Sequence, residues 1–168
     1  MKILFEMDER NYSEDMPVTE RFAARAIIKR DGKYAMQYSL KKGFKIPGGG
    51  LEPGESPRKA MIREVQEETG LLVKEETIEE IGEIIEKRED KKHPGTKYIA
   101  HSYLYQCEVK DETTDTNLSE NEKEKGYGLR WERMDKILDT NRQLGQEDER
   151  DTRFLKWFSG LDADTCDL

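Results

Sequence analysis

Two cysteines, two histidines and no long apolar run set the first limits on this chain of 168 residues. Cys107 and Cys166 lie far apart, with neither the spacing of a zinc site nor the even set of a disulfide framework. Two reduced thiols in a cytoplasmic protein are the expectation. His93 and His101 stand alone and read as surface or strand residues rather than zinc ligands. No stretch approaches the roughly 20 apolar residues of a membrane helix. The opening "MKILFEMDER" lacks the apolar segment of a signal peptide. An excess of positive charge is missing too: 29 Lys and Arg face 37 Asp and Glu, for a net charge of −8. Such a surface does not attract nucleic acid or an anionic membrane by charge alone. A nucleotide held through metal ions stays open, because the ions then carry the positive charge.

The length suits one domain, residues 1–168, with a core about 18–158 between a short extension (1–17) and a tail made of the last ten residues. Residues 2–7 suggest a short strand. Residues 21–29 and 33–39 suggest two strands joined at Asp31-Gly32, a hairpin signal. Residues 41–56, rich in Gly and Pro, read as a loop. Ser56 as N-cap, Pro57 in the first turn and Gly70 as a stop predict a helix over 57–69. Strands are expected from about Ile81 to 89, over 96–109 and over 127–134, with helices near 134–139 and over 148–158. The polar, acidic stretch 111–126 reads as a mobile loop. The pattern predicts an α+β fold, a mixed sheet sandwiched between helices.

Helix 57–69 carries the main puzzle. Met61, Ile62, Val65 and Thr69 share one face, expected to be buried. Glu64, Glu67 and Glu68 share another, within roughly 100° of arc, with Ala60 leaving space among them. Like charges at this spacing repel by a few tenths of a kcal/mol per pair. A divalent cation reverses that repulsion, and hard ions such as Mg²⁺ or Mn²⁺ favour carboxylate oxygens. Arg63, four residues before Glu67, is placed to pair with it. A merely solvated acidic face would use the same residues. The preceding "PGGGLEPGE" supplies glycines that let backbone approach a phosphate or metal closely, next to a helix N-terminus with free N–H groups.

Gly49, Glu55, Arg63-Glu64-Val65, Glu67-Glu68 and Gly70-Leu71 stand in the register G-x5-E-x7-R-E-U-x-E-E-x-G-U, where U is apolar. This resembles the Nudix hydrolase signature at every specified position. The resemblance implies a Nudix-type α/β/α sandwich and a pyrophosphohydrolase that cleaves a nucleoside diphosphate linked to another moiety, or a nucleoside triphosphate, by water attack on phosphorus. By the same resemblance Glu64, Glu67, Glu68 and the carbonyl of Gly48 would hold Mg²⁺ or Mn²⁺. Arg63 would orient the glutamates, and Glu55 would order the loop. Gly49, Gly50 and Phe44 would meet a small nucleotide substrate. The base would be a box glutamate or one of Glu120, Glu122 and Glu124. Family members are often dimers, which makes a homodimer the partner to consider. The signals of three subgroups are absent: Glu86 stands where ADP-ribose-type members carry Pro, Lys87-Arg88-Glu89 lacks the Tyr of a diadenosine-polyphosphate type, and no coenzyme A signature precedes the box. Phe44, Tyr98, Tyr103 and Tyr105 suit either a stacked base or the core, and the core is favoured. The alternatives are a catalytically silent Nudix-fold binding or regulatory module and an unrelated acidic interaction protein.

Overall fold

A computed structural model describes residues 1–166, with side chains described through Gly160. The strands are β1 (Ile3–Asp8), β2 (Val18–Arg30), β3 (Lys33–Ser39), β4 (Gly43–Lys45), β5 (Gly48–Gly50), β6 (Leu71–Val73), β7 (Glu79–Glu89), β8 (Lys97–Cys107), β9 (Val109–Thr113) and β10 (Gly128–Glu132). The helices are α1 (Pro57–Thr69), α2 (Glu120–Glu124), α3 (Met134–Gln143) and α4 (Arg150–Cys166), with a 3₁₀ turn at Glu75–Thr77.

The main sheet runs β1-β7-β8-β2-β3-β10, with β4 added to β3 and β5 added to β2; β6 and β9 form a separate pair. It is mixed: β2 lies parallel to β8 and antiparallel to β3 and β5. Asp31 and Gly32 both take left-handed backbone angles (φ 52° and 75°), which a type I′ hairpin turn requires. Helix α1 packs on one face, its Ala60, Met61 and Val65 against Ala24, Ala26, Ile28 and Tyr105. Helices α3 and α4 cover the other through Ile137, Phe154 and Leu155, against Ile27, Ile84 and Leu104. The result is an α/β/α sandwich. The alternation of buried residues along β2 sends even positions to α1 and odd positions to α4.

Several segments depart from the sequence reading. Residues 41–56 hold two short strands, because Gly48–Gly50 pairs its backbone with Ala23–Arg25. The stretch 111–126 is partly ordered, as the end of β9 and as α2. Helix α3 runs past 139 to Gln143, and α4 continues through most of the expected tail to Cys166; residues 167 and 168 lie outside the described residues. On α1 the buried set is Ala60, Met61, Val65, Glu68 and Thr69, while Ile62 is half-exposed. Phe44 and Tyr105 are core residues; Tyr98 lies under the Arg88 guanidinium, and Tyr103 is half-exposed beside Phe22. Cys107 is buried and unpaired, and burial pushes its thiol up to about 12; the Cys166 side chain is outside the described part. His93 is exposed near Asp90, and His101 sits on β8 with Nδ1 2.6 Å from Glu83.

Candidate active site

Ser56 starts α1 by accepting a hydrogen bond from Lys59 N, and Gly70 ends it. Arg63, in the middle, uses every guanidinium nitrogen. Its Nε and Nη2 donate to the two oxygens of Glu55 at 2.9 and 2.8 Å, and Nη2 also donates to the Gly50 carbonyl at 3.0 Å. Its Nη1 reaches Glu64 Oε1 at 2.9 Å and Glu67 Oε2 at 3.2 Å. A planar fork of charge-assisted bonds thus ties the loop after β5 to the helix. Those bonds from Arg63, aided by the Glu52 amide, pull the Glu55 carboxyl down to about 2.

Glu64 leans against Gly49 so closely that a Cβ there would lie 2.6 Å from its carboxyl carbon. Burial raises its pKa, with Arg63 opposing. Glu67 is half-exposed. Glu68 does not join an open acidic side. It is 4% exposed and accepts the Gly48 N–H at 2.9 Å. Its place on the helix is at the seam between the two faces, and β5 closes over that seam.

Glu122 completes the group from the segment expected to be a loop. Ser119 and Glu122 form a capping box, with Ser119 N donating to Glu122 Oε1 at 3.1 Å. The other oxygen, Oε2, meets Gln37 Nε2 at 3.4 Å and Lys45 Nζ at 3.9 Å. The carboxyl also shares a hydrogen bond with Glu68. Burial, then the Glu122 charge, holds the Glu68 carboxyl well above the carboxylate range, so it is the proton-bearing partner. For Glu122, burial pulls the same way, but Ser119, Glu68 and Lys45 outweigh it and leave the carboxyl below its ordinary value. Glu120 pairs only with exposed Lys123, and Glu124 is exposed; neither is at the group.

Beside these carboxylates lies a cavity of about 180 Å³ lined by Phe44, Lys45, Glu86, Tyr127, Arg150 and Asp151, among others. Lys45 Nζ sits 4.5 Å from the centre of the Tyr127 ring. Arg150 bridges Glu86 (3.1 Å) and Asp151 (2.9 Å), and Asp151 accepts the Ile46 N–H. Arg25 is buried behind β5, its Nη1 3.5 Å from the Gly48 carbonyl and its Nε without a partner. Burial, with Arg150 nearby, pushes it down to about 10. Neither the cavity of about 180 Å³ nor a larger one of about 450 Å³ around Ile27, Tyr34, Cys107 and Phe158 is lined by a box carboxylate; a third, of about 370 Å³, is lined by Arg63 and Glu67. The sequence reading missed Gln37, Lys45, Tyr127, Arg25, Arg150 and Asp151. Ser119-x-x-Glu122 was a local signal for α2; nothing local marked the others.

Among the described residues no three His, Cys, Asp or Glu side chains already enclose a cation. The donor chemistry nevertheless suits a hard divalent ion. Arg63 occupies one oxygen each of Glu64 and Glu67, and no hydrogen bond from a described residue engages the other. Burial and then the charge of Glu122, brought to Glu68 by α2, raise the Glu68 carboxyl, and a cation would relieve that repulsion.

A family model described as NUDIX domain matches residues 20–158. The uncharacterized Nudix hydrolase YvcI of Bacillus subtilis is 30% identical over 112 residues, 66% of this chain and 65% of the relative. The putative 8-oxo-dGTP diphosphatase YtkD of the same organism is 42% identical over 48 residues, 29% of this chain and 30% of the relative. Each match thus spans less than two thirds of the relative's length. A solved NUDIX hydrolase from Nitrosomonas europaea is 27% identical with a TM-score of 0.54, covering 74% of this chain and 79% of that one. The family match covers most of the chain, and the helix and glycine strand of the box stand together in the fold: the chain belongs to the NUDIX family.

Proposed function

We propose that the chain is a divalent-metal-dependent hydrolase of phosphoanhydride bonds, acting on a nucleoside triphosphate or a nucleoside diphosphate linked to another group. The observation that carries this reading is a cluster of four carboxylates, two of them seated on the glycine strand. Glu64 touches Gly49, Glu68 takes the Gly48 amide, Glu67 shares Arg63 with Glu64, and α2 brings Glu122 onto Glu68.

Glu64, Glu67 and Glu68 are the proposed metal ligands, with the Gly48 carbonyl as a fourth. A bound Mg²⁺ or Mn²⁺ would supply charge neutralisation and a fixed place for water. Arg63 keeps the ligands aimed while its own charge is spent on Glu55. Glu122 is the proposed base: it is the one candidate outside the box that reaches the group, and its carboxyl is held in the charged form. It takes one proton from the water. The oxygen forms a bond to phosphorus, and the bond to the bridging oxygen breaks, that oxygen leaving with the electron pair on the departing phosphate, pyrophosphate or phosphomonoester. The cavity with Lys45 and Tyr127 is the proposed seat of the nucleotide, and Gly49 and Gly50 are proposed to meet its phosphates. Cytoplasmic location belongs to the same reading; among the described residues no helix is long and apolar enough to cross a membrane.

The test is hydrolysis with Mg²⁺ or Mn²⁺ over a panel of nucleoside triphosphates (oxidised ones included), ADP-ribose and dinucleoside polyphosphates, scored for phosphate, pyrophosphate and nucleoside monophosphate. Activity on at least one, lost in Glu67→Gln, is expected. No hydrolysis of any, or equal rates in wild type and variant, would sink the reading and favour a silent binding module.

A further inference from the structure

Gln37 is fully buried on β3, facing Lys45 of β4 on one side and Leu129 of β10 on the other. Its Nε2 lies 3.4 Å from the Glu68 carbonyl and 3.4 Å from Glu122 Oε2. Both partners are acceptors, so the amide must turn its N–H₂ toward them. That choice leaves Oε1 buried with no partner. An orphaned buried acceptor is destabilising, and bonds as long as 3.4 Å return little. A methionine at this place would fill the same volume without the penalty. Stability alone does not account for the amide.

The surroundings suggest what does. Residues 35, 37 and 39 share one face of β3, and that face meets α2: Ser39 Oγ donates to the Lys125 carbonyl at 2.6 Å while Gln37 meets Glu122. Lys45, paired one strand over, is the third member of the shelf. Helix α2 is only five residues long and has no buried residue, so it cannot hold its own place. Ser119 holds one oxygen of Glu122 within the capping box, and the shelf meets the other, Oε2. Gln37 also touches α1, through the Glu68 carbonyl, and so, with the Asn117 N–H on the Glu67 carbonyl, references one element to the other.

We propose that Gln37 is a positioning residue, which fixes the Glu122 carboxylate relative to the end of α1 so that it meets the attacking water. The proposal rests on the reading of Glu122 as base. Its test is a double-mutant comparison with saturating Mg²⁺ on a substrate that the wild type hydrolyses, using Gln37→Met, Glu122→Gln and the double variant. Gln37→Met is expected to lower kcat roughly 10- to 100-fold with KM within about threefold. Glu122→Gln should lower it roughly 10²-fold or more, and the double variant should be no slower than Glu122→Gln. Hydrogen exchange on the same proteins should show faster exchange at Lys123 and Lys125, the amides that hold α2, in Gln37→Met. If Gln37→Met folds poorly, Gln37→Asn, one methylene shorter, is expected to show the same pattern. A normal kcat in the Gln37 variants overturns the proposal while the Glu122 reading stands. So does a loss that multiplies with that of Glu122→Gln. A normal kcat in Glu122→Gln instead overturns that reading, and the proposal with it.

Discussion

Gly48 and Gly49 are neighbours with different tasks. A Cβ on Gly48 would lie 2.2 Å from the Ala24 carbonyl oxygen, and its φ of +151° suits no L side chain. Gly48→Ala is therefore expected to strain the β2–β5 pairing and lower the melting temperature by several degrees. The three atoms nearest to a Cβ on Gly49 all belong to the Glu64 carboxyl, a side-chain end that can swing away. Gly49→Ala is expected to melt within about 2 °C of wild type while kcat falls roughly tenfold or more, because the displaced group is a proposed metal ligand. Thermal melts and kinetics on the pair check this; equal stability losses would mean that Glu64 is rigidly held. Glu68 gives a residue-scale pH effect in metal-free protein. Its carboxyl is raised from 4.5 to about 8, so the folded state holds the proton more tightly than the unfolded chain. The stability this adds is complete below about pH 4.5 and is lost as pH rises toward 8. In EDTA, the melting temperature of wild type should fall relative to Glu68→Gln between about pH 5 and 8. Parallel curves would show that Glu68 ionises normally.

At the scale of elements, α1 was legible because its ends are marked locally: Ser56, Pro57 and Gly70 punctuate it. The box glutamates were legible as a group, but not as individuals. Burial of Glu68 depends on β5, and β5 was hidden because three glycines form a strand only by pairing with Ala23–Arg25, far away in the chain. Helix α2 was hidden for the converse reason. Its capping box is visible in the sequence, yet it has no apolar face, and what orders it is Gln37, Ser39 and Lys45 on distant strands. The same dependence on distant partners makes Arg63 the joint between α1 and the loop behind it. Lysine brings one ammonium where Arg63 serves Glu55, Gly50, Glu64 and Glu67 at once. Arg63→Lys should thus free residues 51–56, seen as faster exchange of the Glu55 amide that bonds to Glu52, and reduce kcat roughly tenfold or more. Unchanged exchange with lost activity would confine its role to the glutamates.

Across the whole molecule, a net charge of −8 and the raised carboxyl of buried Glu68 bear on one equilibrium, the proposed uptake of metal. An acidic surface attracts divalent ions in general, so weak binding at many carboxylates is expected and is not diagnostic. Binding at the box differs in two respects. It requires the folded state, because Glu64, Glu67 and Glu68 meet Gly48 and Gly49 only there, so Mn²⁺ should raise the melting temperature by mass action. It also requires Glu68 to give up its proton, since a ligating carboxylate must be charged. Near pH 7, below the raised pKa of Glu68, binding of Mn²⁺ should therefore release up to about one proton, and apparent affinity should strengthen as pH rises toward 8. Calorimetric titration with Mn²⁺ in two buffers of different ionisation enthalpy counts that proton. The Glu64/Glu67/Glu68 triple Gln variant should lose both the proton release and the stabilisation while keeping any weak surface binding. Equal stabilisation of both proteins would move the metal away from α1, toward another acidic stretch such as 111–124. Stabilisation of wild type alone, without proton release, would keep the site but leave Glu68 out of the ligand set.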